Sequence, residues 1–409
     1  MRRSVALIQE GSLYGLLFLL PFSKAALEIL FGCLLVTWLV ARLDPATRTD
    51  TMWLRPSLQP LLYAGAAFLA ACALSVVVST DVGLSVRGFT RKWLEYLMLF
   101  VIITDVGSRP GVAQRSLSAL ALSALFVVIE GISQERYGSG FFRGNYRLDF
   151  FQRMTGPYEN PIDLATYLMV IIPPLIVYAL SRHGAARWRR WTLTVAVLLC
   201  LARTSSLGSW FGLGTGLLVI SRWRTAMRRY VLTVLAVAVV MAGGFLVGTG
   251  RLHYIFSLSA IGKLDRVAMW QAAIGMIADR PILGHGVNTF MAHYLHYWVG
   301  GEYHPRYAHN CYLQMWAETG IVGLGMFLWL LRGLLNLWGR AIRRLSDGPH
   351  RYLLLGLMAG LVAFLAQAAI DTNFYAMRQA FLFWTLAGVA TGLAAGSSPH
   401  LPTAMPSDR

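Results

Sequence analysis

Charge is scarce in this chain. Only 13% of its 409 residues are Asp, Glu, Lys or Arg, and just 19 of these are acidic. A soluble domain of this size needs more charged surface than that. Cysteine is rare too. Cys33, Cys72, Cys200 and Cys311 show no metal-ligand spacing and no disulfide framework, so they read as small core residues. The outer loops defined below contain no Asp-x-Asp or similar acidic pair that would hold a divalent ion. No repeat of fixed period occurs. The Met-Arg-Arg start followed by an apolar run mimics a signal peptide, but no A-x-A site follows, so a retained first helix is expected.

Long apolar runs are abundant instead. Residues 58–78, 231–247 and 352–369 are each long enough to span a hydrocarbon core of ~30 Å. Periodicity and breaker residues predict helices at about 5–22, 25–41, 58–79, 89–105, 112–133, 161–181, 190–203, 205–221, 230–248, 311–332, 351–370 and 374–395. The expected fold is an all-α polytopic membrane protein with about twelve spans and one transmembrane domain over 1–395. The Pro- and Ser-rich stretch 396–409 reads as a disordered cytoplasmic tail. Almost nothing separates the seventh and eighth helices, which suggests a broken or re-entrant pair.

Arginine placement sets the orientation. With the N-terminus inside, the inner connections carry Arg42, Arg48, Arg55, Arg109, Arg115, Arg182, Arg187, Arg189, Arg190, Arg222, Arg224, Arg228, Arg229, Arg332, Arg340, Arg343, Arg344 and Arg351. An even number of spans then puts both ends inside. The net charge of +17 has no soluble domain in which to serve nucleic acid, so membrane lipids and anionic substrates at the surface are the expected partners.

Two long loops remain outside, 134–160 and 249–310. They are also basic, against the usual bias. Arg136, Arg143, Arg147, Arg153, Arg251, Lys263, Arg266, Arg280 and Arg306 lie in them, and Arg87, Arg91, Lys92 and Arg203 stand near the same surface. Two readings fit: a bound polyanion such as a lipid-carried diphosphate, or headgroup contacts and local salt bridges. Within the larger loop, Val267, Trp270, Ile274 and Ile277 recur at helical spacing, which predicts an amphipathic interfacial helix over 263–279 with Arg266 in its first turn.

After that loop comes His309-Asn310-Cys-Tyr-Leu-Gln314-Met-Trp-Ala-Glu318-Thr-Gly320. Asn310 is the expected N-cap of the next helix. His309 would then sit at its positive end, where a neutral imidazole is favoured and suits a general base. Asn310, Gln314 and Glu318 share one face. A carboxylate two turns into a membrane helix needs a partner, either structural or functional. His309 as a simple capping loop residue is the plainer alternative. Glu95, Glu130, Asp163 and Asp371 are further ionisable residues near apolar segments that could serve ion coupling.

The string His309-Asn-x-Tyr-Leu-Gln-x-x-x-Glu318-x-Gly320-x-x-Gly323 resembles the signature of the O-antigen ligase and polymerase superfamily. Gly131-Ile-Ser-Gln134, then Arg153-Met-Thr-Gly156-Pro-Tyr-Glu-Asn160-Pro161, then Arg266-x-x-x-Trp270 with Asp279-Arg-Pro281-Ile-Leu-Gly284-x-Gly286, agree in order over roughly 60–395. The resemblance implies a GT-C-like, metal-independent inverting glycosyltransferase that needs no cofactor. It would move a glycan from undecaprenyl diphosphate to lipid A–core oligosaccharide on the periplasmic face of the bacterial inner membrane. It also implies His309 as base and Arg266 as a catalytic cation on the diphosphate. Arg203, Arg153, Asn160, Arg87, Arg91, Lys92, Arg306, Asn310, Gln314 and Glu318 are the expected substrate-binding set. The family usually shows Ser-Arg-Gly where this chain has Ser206-Leu207-Gly208, and Arg203 one turn earlier is the candidate replacement. A polymerase that extends the lipid-linked repeat unit would use the same parts. A transporter or flippase would instead gather its polar groups near the midplane.

Overall fold

The computed structural model describes residues 2–44, 51–142, 144, 147–149, 151–180, 184–223, 228, 229, 232, 233, 236, 243, 261–299 and 307–396. Among them every regular element is helical and no strand occurs. In chain order these are α1 (Arg2–Leu19), α2 (Lys24–Leu43), α3 (Gln59–Val77), α4 (Val82–Gly88), α5 (Glu95–Gly107), α6 (Val112–Tyr137), α7 (Pro161–Leu180), α8 (Gly184–Thr204) and α9 (Leu207–Trp223). After the large outer loop begins come α10 (Ile261–Asp279), the single turn α11 (Phe290–His293), α12 (Cys311–Arg344), α13 (Pro349–Gln367) and α14 (Met377–Gly396).

The all-α membrane architecture is as the sequence predicts. Seven of the described helices, α2, α3, α6, α7, α12, α13 and α14, are long and apolar enough to cross a bilayer. The expected count of about twelve is not established by that measure. The ninth expected span and the tail beyond 396 lie largely outside the described residues. The abrupt step between the seventh and eighth spans is real: α8 ends at Thr204, Ser205 takes a left-handed φ of 54°, and α9 begins at Leu207.

Small residues set the spacing of the bundle. With no hydrophobic driving force between helices in lipid, close backbone approach supplies the packing energy. A Cβ at Gly360 of α13 would stand 2.2 Å from the Val170 carbonyl of α7, and one at Gly392 of α14 would stand 2.6 Å from the Gly107 backbone of α5. The centre of the bundle is aromatic: Phe374 packs edge-on to Phe327 and Phe364, and Trp93 to Phe68. α13 and α14 are therefore fixed deep in the molecule, and the turn between them is a rigid support.

Candidate functional site

The site begins at the first turn of α12. Asn310 is extended (φ −160°, ψ 105°), and its Oδ1 accepts from the Tyr312 and Leu313 amides at 3.0 and 3.1 Å, so the expected N-cap is in place. The Cys311 amide donates to the Ala368 and Asp371 carbonyls at 2.8 and 3.1 Å. The Cys311 thiol also donates to the Asp371 carbonyl, at 3.2 Å. These bonds clamp the start of α12 to the turn that joins α13 and α14.

His309 precedes the cap with φ 47°, a left-handed conformation that His tolerates better than most residues. The turn brings its Nδ1 to 3.3 Å from Asp371 Oδ1. The Asp371 side chain is 11% exposed and that of His309 is 29% exposed, so the carboxylate lies behind the ring and the ring reaches the surface. The Thr372 amide donates to Asp371 Oδ1 at 2.8 Å and fixes the carboxylate. The sequence marks Asp371 only as an ion-coupling candidate. No local signal pairs it with a histidine 62 residues away.

Glu318 has its partners. The buried carboxylate accepts from the Asn288 amide at 2.8 Å and from Gln314 Nε2 at 3.1 Å. These bonds answer a second irregularity. Gly320 inside α12 has φ 68° and ψ −177°, which breaks the helix. The segment 281–286 inserts there. The His285 and Gly286 amides donate to the Ala317 and Glu318 carbonyls, and the Ile321 and Val322 amides donate to the Pro281 and Ile282 carbonyls. A Cβ at Gly320 would lie 1.9 Å from the Ile282 carbonyl oxygen, and one at Gly284 would lie 2.4 Å from the Glu318 backbone. The Asp279–Gly286 and Glu318–Gly323 strings therefore fit together as one joint, which docks the outer loop on the bundle. Gln314 and Glu318 belong to that joint.

The expected cations divide into groups. Lys92 lies on a π-helical turn, Phe89–Leu94, with Nζ 2.6 Å from Asn288 Oδ1 and 5.4 Å from the centroid of Tyr375. The Tyr375 ring neighbours Tyr307 at 6.3 Å, two residues from His309. Arg87 and Arg91 are exposed on the same stretch. Arg266 is half-buried on α10, which packs through Ala273, Met276 and Ile277 with Ala308 and Ala317 beside the start of α12. Arg153 is held by Asp149 at 2.6 and 2.7 Å, and Arg203 is bound bidentately by Glu135 at 2.8 Å on both arms. Asn160 caps α7 through the Asp163 amide at 2.8 Å. Arg306 lies outside the described residues, as do Arg143 and Arg251.

The expected apolar stripe of the loop helix differs from the observed one. In α10, Val267 and Ile274 are about half exposed, while Ala268, Met269, Ala272, Ala273 and Met276 are buried with Ile277. Small side chains let α10 lie close on α12, and the larger branched ones point away. One buried cation escapes sequence reasoning. Arg378, at the start of α14, donates to the Pro21 and Pro157 carbonyls at 2.8 and 3.1 Å and stacks on Tyr158 at 4.3 Å. It ties the α1–α2 turn to the smaller outer loop. His285 and His293 flank the joint, with rings 5.8 Å apart. Burial pushes both imidazoles below their ordinary range; Arg280 adds to the effect at His285, and His296 at His293.

Fold and site together define a polytopic membrane protein with a His–carboxylate pair and several cations gathered at one end of its bundle. A family model described as O-Antigen ligase matches residues 169–328, from α7 into α12, a stretch that includes Arg203, Arg266, His309 and Glu318. The resemblance read from the sequence therefore holds. The chain is also similar to a Rickettsia conorii protein named "Putative polysaccharide ligase", with 22% identity over 324 residues, covering 71% of this chain and 72% of that protein.

Proposed function

We propose that this protein is a glycan ligase of the bacterial inner membrane. It transfers O-antigen polysaccharide from undecaprenyl diphosphate to lipid A–core oligosaccharide on the periplasmic face. The family match and the polysaccharide-ligase relative support the general class. The observation that carries the mechanism is His309 backed by Asp371 at the end of the bundle where the outer loop docks.

With Asp371 accepting from Nδ1–H, His309 keeps Nε2 as a proton acceptor facing outward. Nε2 takes the proton of an acceptor sugar hydroxyl, and that oxygen attacks the anomeric carbon of the donor. The bond from the anomeric carbon to the diphosphate oxygen breaks on the opposite face, so configuration inverts. The electron pair leaves with the diphosphate, whose charge is met by fixed cations. Arg266, Arg87, Arg91 and Lys92 are the candidates for that work, and no metal ion is required. Arg153 and Arg203 are turned to carboxylates instead, which supports a role in shaping the smaller loop.

The test is reconstitution of purified protein with lipid-linked O-antigen and rough lipopolysaccharide, read on a lipopolysaccharide gel with and without chelator. The wild type is expected to build the ladder in both, and His309→Ala is expected to build none while still inserting. A ladder from His309→Ala overturns the base assignment. In cells, a knockout that leaves a single-repeat band would instead identify a polymerase.

A further inference from the structure

Three chain segments meet where His309 stands. One is the head of α12, and the second is the turn after α13, which carries Asp371. The third is the entry to α7, residues 157–163. It is fastened to the first turn of α14 at two points: Arg378 donates to the Pro157 carbonyl at 3.1 Å, and Gln379 Nε2 donates to the Asp163 backbone carbonyl at 2.7 Å. Asp163 is thereby brought to the Asp371 end of the turn, close enough for the two carboxylate charges to act on each other. Lys92 meets the same turn at its other end, over the Tyr375 ring.

The polar side chains at this entry are acidic or amide in character. Glu159 and Asn160 are exposed, and Asp163 is partly exposed. Asn160 Nδ2 donates to Asp163 Oδ2 at 2.8 Å, and among the described residues nothing donates to Oδ1. The nearby cations are already engaged: Lys24 with Glu159 at 3.2 Å, and the buried Arg378 with two carbonyls. An ionised carboxylate only accepts, so this place calls for hydrogen-bond donors. A diphosphate brought here would face Glu159, Asp163 and Asp371, and like charges placed together oppose binding. A sugar offers adjacent hydroxyls, which donate without carrying charge.

We infer that Asn160 and Asp163 bind the terminal sugar of the acceptor and hold its attacking hydroxyl beside His309. Asp163 Oδ1 accepts from a neighbouring hydroxyl, and the second N–H of the Asn160 carboxamide donates to a sugar oxygen. The inference rests on the ligase reading for the identity of the acceptor. It gives the centre a polarity, with the acceptor on the α7 side of His309 and the diphosphate on the Lys92 side, as attack opposite the leaving group requires. The sugar that reacts is a neutral polyhydroxyl ring, and a ring carrying phosphate or carboxylate at this place is disfavoured.

The full chain, purified in detergent, is titrated in the absence of donor with rough lipopolysaccharide, with deep-rough lipopolysaccharide that lacks the outer core sugars, and with undecaprenyl diphosphate. The wild type is expected to bind the rough form at least tenfold more tightly than the deep-rough form, a factor that a hydrogen bond to a charged group supplies. Asp163→Asn keeps the size of the side chain and the bond from Asn160. It is expected to lose most of that preference, while its affinity for undecaprenyl diphosphate stays within twofold of wild type. Equal binding of the two lipopolysaccharides by the wild type overturns the inference, and so does an equal loss of affinity for rough lipopolysaccharide and undecaprenyl diphosphate in Asp163→Asn. A second measurement needs no variant. Rough lipopolysaccharide should slow amide exchange over 158–164, and slowing by undecaprenyl diphosphate instead overturns the assignment. Binding of calcium alone that Asp163→Asn abolishes also overturns it, because a cation site would then explain the carboxylates. Selective binding without glycan transfer supports the subsite and counts against the ligase reading. Transfer without selective binding does the reverse.

Discussion

Asp371 and His309 meet across the seam between α12 and α13, with Oδ1 3.3 Å from Nδ1 and the carboxylate the more deeply buried of the two. The seam is held independently by the Cys311 amide on the Ala368 and Asp371 carbonyls. The carboxylate therefore has an orienting role that can be separated from a folding role.

Asp371→Asn keeps the size of the side chain and the bond from Thr372. Under the proposed mechanism it permits the wrong imidazole tautomer and lowers kcat by about 10²–10⁴-fold. Thermal stability in detergent and donor KM are expected to stay near wild type. Glycan-transfer rates measured against pH, beside a melting curve, separate the outcomes. A variant that loses stability and rate together makes the pair structural.

Gly320 is the tightest point of the joint between the outer loop and the bundle. Its φ of 68° and the Ile282 carbonyl oxygen 1.9 Å from an added Cβ leave no room for alanine. Gly320→Ala is expected to cost about 1–3 kcal/mol in backbone strain, with the clash in addition. It should expel 281–286 from the break in α12. Proteolysis of the loop in membranes reads this directly: rapid cutting near 281–286 is expected, and wild-type resistance would mean the insertion is not what fixes the loop.

Much of this arrangement is legible in the order of residues alone. The cap at Asn310, the place of His309 at the head of that helix and most of the helix limits follow from one string and from apolar run length. What cannot be read there is the second half of each pair. Asp371, Asn288 and Glu135 meet His309, Glu318 and Arg203 across long sequence separations, and a lone sequence carries no local mark of such contacts. The packed face of α10 departs from its expected stripe for a different reason. Large apolar residues mark the core of a soluble helix. At a membrane surface, Val267 and Ile274 incur no penalty for facing outward, and alanines take the packed side.

Arg203 and Glu135 form a partly exposed two-armed pair, so either partner removed alone is expected to shift stability by only about 1 kcal/mol. Arg203→Gln and Glu135→Gln should then have equal effects on glycan transfer. If Arg203→Gln weakens donor binding while Glu135→Gln does not, Arg203 supplies the charge that the resemblance leads one to expect at the position of Leu207.

The loop should respond to acid. His285 Nε2–H donates to the Met276 carbonyl at 3.0 Å, His293 meets Thr80 Oγ1 at 2.6 Å, and burial lowers the pKa of both. Asp279 and Asp81 oppose that shift without cancelling it. A histidine lowered on folding binds fewer protons folded than unfolded. Its contribution is therefore complete above the ordinary value of ~6.5 and is lost as pH falls below it. Amide exchange over 285–299, corrected for intrinsic rate, is expected to rise between pH 7.5 and 5.5. His285→Gln should flatten the change, and pH-independent exchange in the wild type would contradict the assignment.

Lys92 poses the sharpest choice, because one ammonium is asked to serve two partners. It donates to Asn288, whose amide holds Glu318, and its charge acts on that carboxylate. Lys92→Met alone leaves the buried Glu318 carboxylate without the nearby positive charge that offsets its burial, so stability is expected to fall. Lys92→Met with Glu318→Gln removes both charges, so stability should largely return through the coupling between the two sites. If Lys92 also meets the donor diphosphate, the doubly substituted protein will be stable and still bind donor poorly. Full recovery of both stability and donor affinity would confine Lys92 to the joint and leave the diphosphate to Arg266, Arg87 and Arg91.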